Sequence, residues 1–288
     1  MTFFFKVRIL EVTYFDVVIA AEIGWPWAMM TVEHFKLDLM HSWQLRRDGE
    51  AVYVAARQQR LIAALAVRGG RLRNYLAGML WPECPDANAL ESLRVTVHLI
   101  TRQLPGLLVK NGPLLSLDTR VDVDLHKVRA ALSAATKTSD KDAALLLPEI
   151  RDVDFLPGWY EDWVVFEQNK LQHDRVRAFT LISRQLAACG DNEAAVDAAT
   201  AALEIEPLYE SAVRVLVAAE LAQGNVASAL FAYDKYQGEL QAEMGVNPSD
   251  GLRHLMQETL ARQRHSTREQ LAPPLDSSLG LQPLAHNI

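Results

Sequence analysis

The chain has 288 residues, half of them hydrophobic and 23% charged, which is enough for one large or two ordinary domains with a real core and excludes wholesale disorder, collagen and a disulfide-stapled mini-protein. The formal net charge of −7 argues by itself against a nucleic-acid partner, but the charge is unevenly placed: between Phe35 and His126 twelve Lys and Arg face nine Asp and Glu, leaving −10 for the remainder. Five arginines, Arg57, Arg60, Arg68, Arg71 and Arg73, fall between Ala51 and Pro82, a stretch without an acidic residue.

Residues 1–34 are read as an extension of unknown role. The longest apolar runs, Val17 to Ala21 and Ile23 to Met30, are interrupted by Glu22 and fall short of the roughly 18 residues a membrane span needs. Phe3 to Phe5 precede Lys6 and Arg8, the reverse of a secretory signal. Cys84 and Cys189 stand 105 residues apart without ligand spacing and read as two buried thiols in a reducing cytosol. These features predict a cytoplasmic protein.

From Phe35 the apolar residues alternate through Leu37 and Leu39, then Trp43, Leu45, an Asp48-Gly49 turn, Val52 and Val54, which predicts short antiparallel strands with a hairpin. Helical spacing follows. Leu61, Ile62, Leu65 and Ala66 share one face of a helix from about Ala56 to Gly69-Gly70, and a second helix carries Leu72, Tyr75, Leu76, Met79 and Leu80 as far as Trp81-Pro82. The third, Asn88 to Leu104, has the stripe Leu90, Leu93, Val97, Ile100, Leu104. Leu107 to Val109, a turn at Asn111 to Pro113, Leu114 to Leu117 and Val121 to Val123 then read as a hairpin. Strands, three helices and a hairpin in this order predict a winged helix-turn-helix over residues 35–124.

Residues 125–265 read as almost wholly helical: Leu125 to Ala135, Lys141 to Ile150, a long helix from Trp159 to Ala188, then Glu193 to Ile205, Glu210 to Ala222, Val226 to Glu243 and Gly251 to Arg262. Gly190 and Gly224, and Ala195 and Ala229, are 34 residues apart, with Pro207 midway between the glycines. That period fits a tetratricopeptide-like hairpin repeat, with a generic helical bundle as the alternative. Residues 266–288, with three prolines and little periodicity, read as a disordered tail.

The runs RQQRLIAALAVRGGRLRNYLAGMLWPE and ALESLRVTVHLITRQLPG resemble the winged-helix domain of SARP-type bacterial transcriptional activators, the antibiotic-regulatory-protein class. The runs LLPEIRDVDFLPGWYEDWVVFEQNKL and EAAVDAATAALEIEPLYESAVRVLVAAELAQGNVASALFAYDKYQGELQAEMGVNPS resemble the bacterial transcriptional activation domain that follows it in that class. The resemblance covers about Phe35 to Met256. It implies an activator that binds double-stranded promoter DNA as a dimer on direct repeats and contacts RNA polymerase. Two departures stand out: Met1 to Met30 have no counterpart, and Leu99 and Thr101, rather than a basic residue, follow His98.

A winged helix lays its third helix in the major groove. With the apolar stripe facing the core, Glu91, Val95, His98, Leu99 and Arg102 point away from it and Ser92 and Arg94 flank that face. Arg94 is the candidate base reader, because a guanidinium grips guanine O6 and N7 together. Ser92, Val95 and His98 are candidates for polar or thymine-methyl contacts. Arg102, Arg71, Arg73 and the wing residues Lys110 and Asn111 are candidates for holding phosphates. Arg94 could instead pair with Glu91 or Asp86, and Glu91 could accept from cytosine N4 or lie outside the groove.

No GxxxxGK[ST], HExxH, GxSxG or GxGxxG occurs, and the eight histidines are scattered, so no enzyme, cofactor or metal is expected. Glu161-Asp162, adjacent on a helix and hence about 100° apart, suit a helix N-terminus better than a catalytic dyad. The other function considered is a helical-repeat interaction scaffold whose winged helix contacts protein.

Overall fold

The computed structural model describes residues 34–135 and 141–270, so the reading of Met1 to Met30 and most of the proposed tail lie outside the described residues. The described residues divide into two compact units, the first ending at Leu125 and the second beginning at His126.

The first unit begins with β1 (Phe35–Asp38) and β2 (Gln44–Arg47), antiparallel, joined on the far side of β2 by the short β3 (Glu50–Ala51). Phe35, Leu37 and Leu39 alternate into the core while Lys36 and Asp38 face outward, the period of two that a half-buried strand requires. Asp48 and Gly49 both take positive φ, 50° and 89°, the conformation of a type I′ hairpin turn. The turn is tied down by mutual bonds: the Asp48 amide donates to the His34 carbonyl, and the His34 amide donates to the Asp48 carboxylate, each across 2.9 Å.

Three helices follow, α1 (Ala56–Arg68), α2 (Arg73–Leu80) and α3 (Asp86–Gln103). At the start of α1 the Gln58 side-chain oxygen reaches back to accept from the Ala55 amide at 3.1 Å, one half of a capping box. Leu61, Ile62 and Leu65 of α1, Leu76 and Leu80 of α2, and Leu93 and Ile100 of α3 are all fully buried and form the centre of this unit.

Between α1 and α2 lies β4 (Arg71–Leu72), where a helix was expected to have begun. It pairs with β6 (Leu114–Leu117), which also pairs with β5 (Leu108–Asn111), so the hairpin is one part of a three-stranded sheet in the order β4-β6-β5. Gly70 permits the approach, since a Cβ there would stand 3.3 Å from the Ser116 Cβ. The third segment read as part of the hairpin does not join it: β7 (Asp122–Val123) runs parallel to β1 and closes the other sheet, ordered β3-β2-β1-β7. The cause is Asp124, whose carboxylate accepts from the amides of Leu39 and Met40 at 2.8 and 2.9 Å and pins the chain beside β1.

From there the chain is helical: α4 (Asp124–Ala135), a 3-10 turn (Lys141–Leu146), α5 (Leu147–Arg151), α6 (Asp162–Ala188), α7 (Asn192–Ile205), α8 (Glu210–Ala222), α9 (Val226–Met244) and α10 (Asp250–Gln270). Successive helices α6 to α9 pack on one another in order. Small residues allow close approach: Ala195, Ala198, Ala199 and Ala202 of α7 are buried, and the Ser183 hydroxyl of α6 donates to the Ala195 carbonyl at 2.6 Å. The long helix starts at Asp162, not at Trp159, because Glu161 takes the extended backbone of an N-cap, φ −64° and ψ 137°, after a loop in which Leu156 and Gly158 have positive φ. Glu161 and Asp162 do stand at its N-terminal end. At the other end of the chain, α10 runs through Ser266 to Gln270, so the region read as tail is helical over its first five residues.

Arg175 of α6 is buried and serves the loop before its own helix. Its guanidinium donates to the carbonyls of Ile150 at 2.8 Å and Val153 at 3.1 Å, and also to that of Arg151. Ile150 and Arg151 are in the last turn of α5, whose carbonyls have no partner within the helix, and Val153 lies in the loop just after it. Burial lowers the Arg175 pKa, and the charges of Asp152 and Asp154 oppose that shift. Glu167, 5% exposed on the same helix, takes the Arg129 guanidinium of α4 at 2.9 Å.

The two cysteines correct the reading of buried thiols. Both are free and exposed, Cys84 in the loop after α2 and Cys189 at the C-terminal end of α6.

Candidate nucleic-acid interface

The outward face of α3 is what the core leaves over. Ala89, Leu93, Thr96, Val97 and Ile100 point inward, so Glu91, Arg94, Val95, His98, Leu99 and Arg102 are exposed and Ser92 is half-buried. Thr96 reaches the core by donating its hydroxyl to the Ser92 carbonyl at 2.7 Å, which satisfies the one polar group that burial would otherwise strand. Val95 and Leu99, half in water, give this face an apolar strip beside its charges.

Arg94 is 78% exposed at its side chain and donates to the Glu91 carboxylate across 2.7 Å. Of the two acidic partners considered for it, the structure selects Glu91. An exposed pair of this kind contributes about 0.2–1 kcal/mol, little enough for a competing anion or base edge to displace it.

The basic residues outside α3 are organised by the three-stranded sheet. Arg71 of β4 and Lys110 of β5 stand opposite the same residue of β6, Leu115, so they share one row two strand spacings apart, roughly 10 Å. The Arg71 guanidinium lies over the Tyr75 ring at 6.0 Å, and also donates to the Gly70 carbonyl at 2.8 Å. Arg73 is half-buried, and its amide donates to the Pro113 carbonyl at 3.0 Å, joining the hairpin tip to the start of α2. Asn111 closes β5 and is exposed. The nine candidate residues therefore fall into two groups: Ser92, Arg94, Val95, His98 and Arg102 on one helix, and Arg71, Arg73, Lys110 and Asn111 on or beside the sheet.

A groove of about 480 Å³ runs between the start of α1 and α3, lined by Arg57 and Gln58 on one side and Asn88, Glu91, Val95 and Leu99 on the other. Arg57 and Asn88 were not singled out as contacts. The acid-free run containing Arg57 was the available signal, but which of its five arginines meets α3 depends on how the two helices pack. Among the described residues no three of His, Cys, Asp and Glu gather as a metal site, and no helix is long and apolar enough to cross a membrane.

A three-helix core with its third helix bared on one face and a β-hairpin at its side defines a winged helix, here joined to an all-helical unit. Residues 123–260 match the family described as "Bacterial transcriptional activator domain". The chain is 29% identical over 228 residues to the regulatory protein AfsR of Streptomyces coelicolor, an alignment that takes in 74% of this chain and 23% of AfsR. The chain thus spans about a quarter of the length of that relative. It also matches the structure of EmbR from Mycobacterium tuberculosis, solved in complex with a low-affinity phosphopeptide, at a TM-score of 0.66 and 21% identity over 80% of this chain and 66% of that one, a likeness of fold. Over residues 123–260 the chain is thus similar to bacterial transcriptional activator domains, over 74% of its length to AfsR, and in fold to EmbR.

Proposed function

We propose that the chain is a DNA-binding transcriptional activator: its winged helix grips duplex promoter DNA with α3 in the major groove and the β4-β6-β5 sheet on the flanking backbone, and its helical unit contacts RNA polymerase. The observation that carries this reading is the exposed face of α3, where Arg94, His98 and Arg102 stand clear of the core with Ser92 and Val95 between them. A helix of that width fits a groove about 12 Å across. Arg94 reads a base edge; Arg71, Arg73, Lys110 and Asn111 hold phosphates and set register. Tetratricopeptide-like stacking of α6 to α9 supplies surfaces suited to a protein partner, and dimerisation on direct repeats places two copies of α3 on one face of the duplex. The activity belongs to the cytoplasm of a bacterium and requires neither metal nor cofactor.

The competing reading, a protein-interaction scaffold, draws on the Glu91–Arg94 pair, which puts a carboxylate on the face meant for DNA. Salt titration on duplex DNA separates them, since phosphate contacts impose a steep linear fall of log K with log salt. Sequencing the genomic fragments the protein retains tests the proposal directly: enrichment of a shared, directly repeated site supports it, and an unenriched pool opposes it.

A further inference from the structure

The segment Asn192 to Met244, comprising α7, α8 and α9, carries nine carboxylates and two cations, Arg214 and Lys235. Its net −7 equals the charge of the whole chain. These three helices enclose a groove of about 620 Å³, within the roughly 300–1,000 Å³ typical of built binding pockets. Val196 and Leu203 of α7 and Leu216 of α8 give it an apolar lining, and the Phe231 ring of α9 stands at it 72% exposed. An aromatic ring left this far in water beside an apolar groove marks a surface suited to a binding partner.

The polar lining is one-sided. Glu204, Glu220 and Glu239 come from three different helices. The cation among the lining residues, Lys235, lies 3.9 Å from Glu239 and so offsets part of that charge. Glu220 accepts from the Asn225 amide at 2.9 Å through one oxygen, which leaves the other available. Apolar walls fringed by carboxylates match a segment that presents bulky apolar side chains with Lys or Arg beside them. Residues 271–288 of this chain do not qualify, since Asp276 is the charged side chain among them.

We infer that the α7–α9 groove docks a short basic, amphipathic segment of a partner protein, with a large apolar side chain seated against Phe231 and Lys or Arg on Glu204 and Glu239. This deepens the activator reading and rests on it only for placing that segment in the transcription machinery; the groove and its chemistry stand without it.

The test uses the full chain and a fluorescein-labelled 14-residue helical peptide with leucines and one tryptophan on one face and lysines on the other, followed by anisotropy. Saturable binding is expected, at least tenfold tighter than for the same peptide with glutamate in place of lysine. Phe231→Ala and Thr200→Arg should each weaken it tenfold or more, whereas Glu243→Gln, exposed and outside the groove, should change it less than twofold. Phe231 and Thr200 are exposed, and unchanged thermal melting establishes that both variants fold. Equal binding of the lysine and glutamate peptides overturns the inference, as does binding untouched by both groove variants, which would be charge attraction to the acidic surface at large. Self-association abolished by Thr200→Arg, with no peptide binding, would assign the groove to a second copy of the chain and also overturn it. The activator reading is judged separately: failure to activate any promoter would sink that reading and leave the peptide result standing.

Discussion

Glu91 and Arg94 sit three residues apart on the bare face of α3, with the Arg94 guanidinium donating to the Glu91 carboxylate across 2.7 Å. In the proposed complex this pair must open, because the same guanidinium cannot serve the carboxylate and a guanine edge at once. Glu91 also repels phosphate. Glu91→Gln should therefore raise affinity for the preferred site about 1.4- to fivefold, the equivalent of losing an exposed pair of about 0.2–1 kcal/mol. Anisotropy titrations at matched salt check this, and unchanged or weaker binding would mean that Glu91 does not face DNA.

Asp124 fixes the fold around that helix from outside it. Its carboxylate takes the amides of Leu39, Met40 and Leu125, so Asp124→Ala leaves three donors to find other partners and should destabilise the first unit by about 1–3 kcal/mol. Asp124→Asn, retaining one oxygen, should cost less. Denaturant unfolding read through a probe in the first unit distinguishes the two.

Arg175 plays the corresponding part in the second unit. Arg175→Met keeps most of the stem but removes the donors from three carbonyls, two in the last turn of α5 and one in the loop after it, with an expected loss of about 3 kcal/mol. Arg175→Lys should recover only part of it, since one ammonium cannot span all three acceptors. A melting temperature unchanged by Arg175→Met would show that this loop contributes nothing to stability.

Tyr236 and Glu210 give the helical unit a pH signature. Burial, then the nearby Glu210 charge and the hydrogen bond to it, push the Tyr236 phenol up to about 12. For Glu210 burial acts upward, but bonds from Ser249 and Tyr236 and the charge of Arg214 outweigh it, and its pKa is lowered. A raised phenol pKa means that stability is complete below the unfolded value of about 10 and is lost as pH rises from there towards 12. The lowered carboxyl works at the other end: its contribution is present above the unfolded carboxylate range and is lost as pH falls through the folded value. Burial also raises the Tyr233 phenol, so ultraviolet titration should show Tyr236 and Tyr233 ionising late, and Tyr236→Phe should remove the Tyr236 share of that late ionisation and reduce the alkaline loss.

Much of this was legible in residue spacing. The helix caps at Gly69 and Leu104, the Asp48-Gly49 turn, and the inward Leu93, Val97 and Ile100 follow from local chemistry that the chain carries with it. Thr96 was not read as buried because a hydroxyl looks polar until its bond to the Ser92 carbonyl is known. The parallel pairing of β7 with β1 was not legible either, since it depends on Asp124 reaching across 85 residues. Tyr75 and Leu72 fit a helical stripe yet are exposed, because Leu72 belongs to β4 and only the packing of the sheet reveals that. The Glu91–Arg94 pair was one of two possible partnerships, and spacing alone could not choose between them.

The division between reading and holding DNA is tested most directly by measuring Arg94→Ala and Lys110→Ala on a preferred site and on random duplex over a range of salt, once melting shows both variants folded. Arg94→Ala should lose about 1–3 kcal/mol on the preferred site and almost nothing on random sequence. Lys110→Ala should weaken both alike and lower the slope of log K against log salt by about one. Equal losses on both duplexes for Arg94→Ala would reassign that residue to the backbone, and no loss at all would contradict the placement of α3 in the groove.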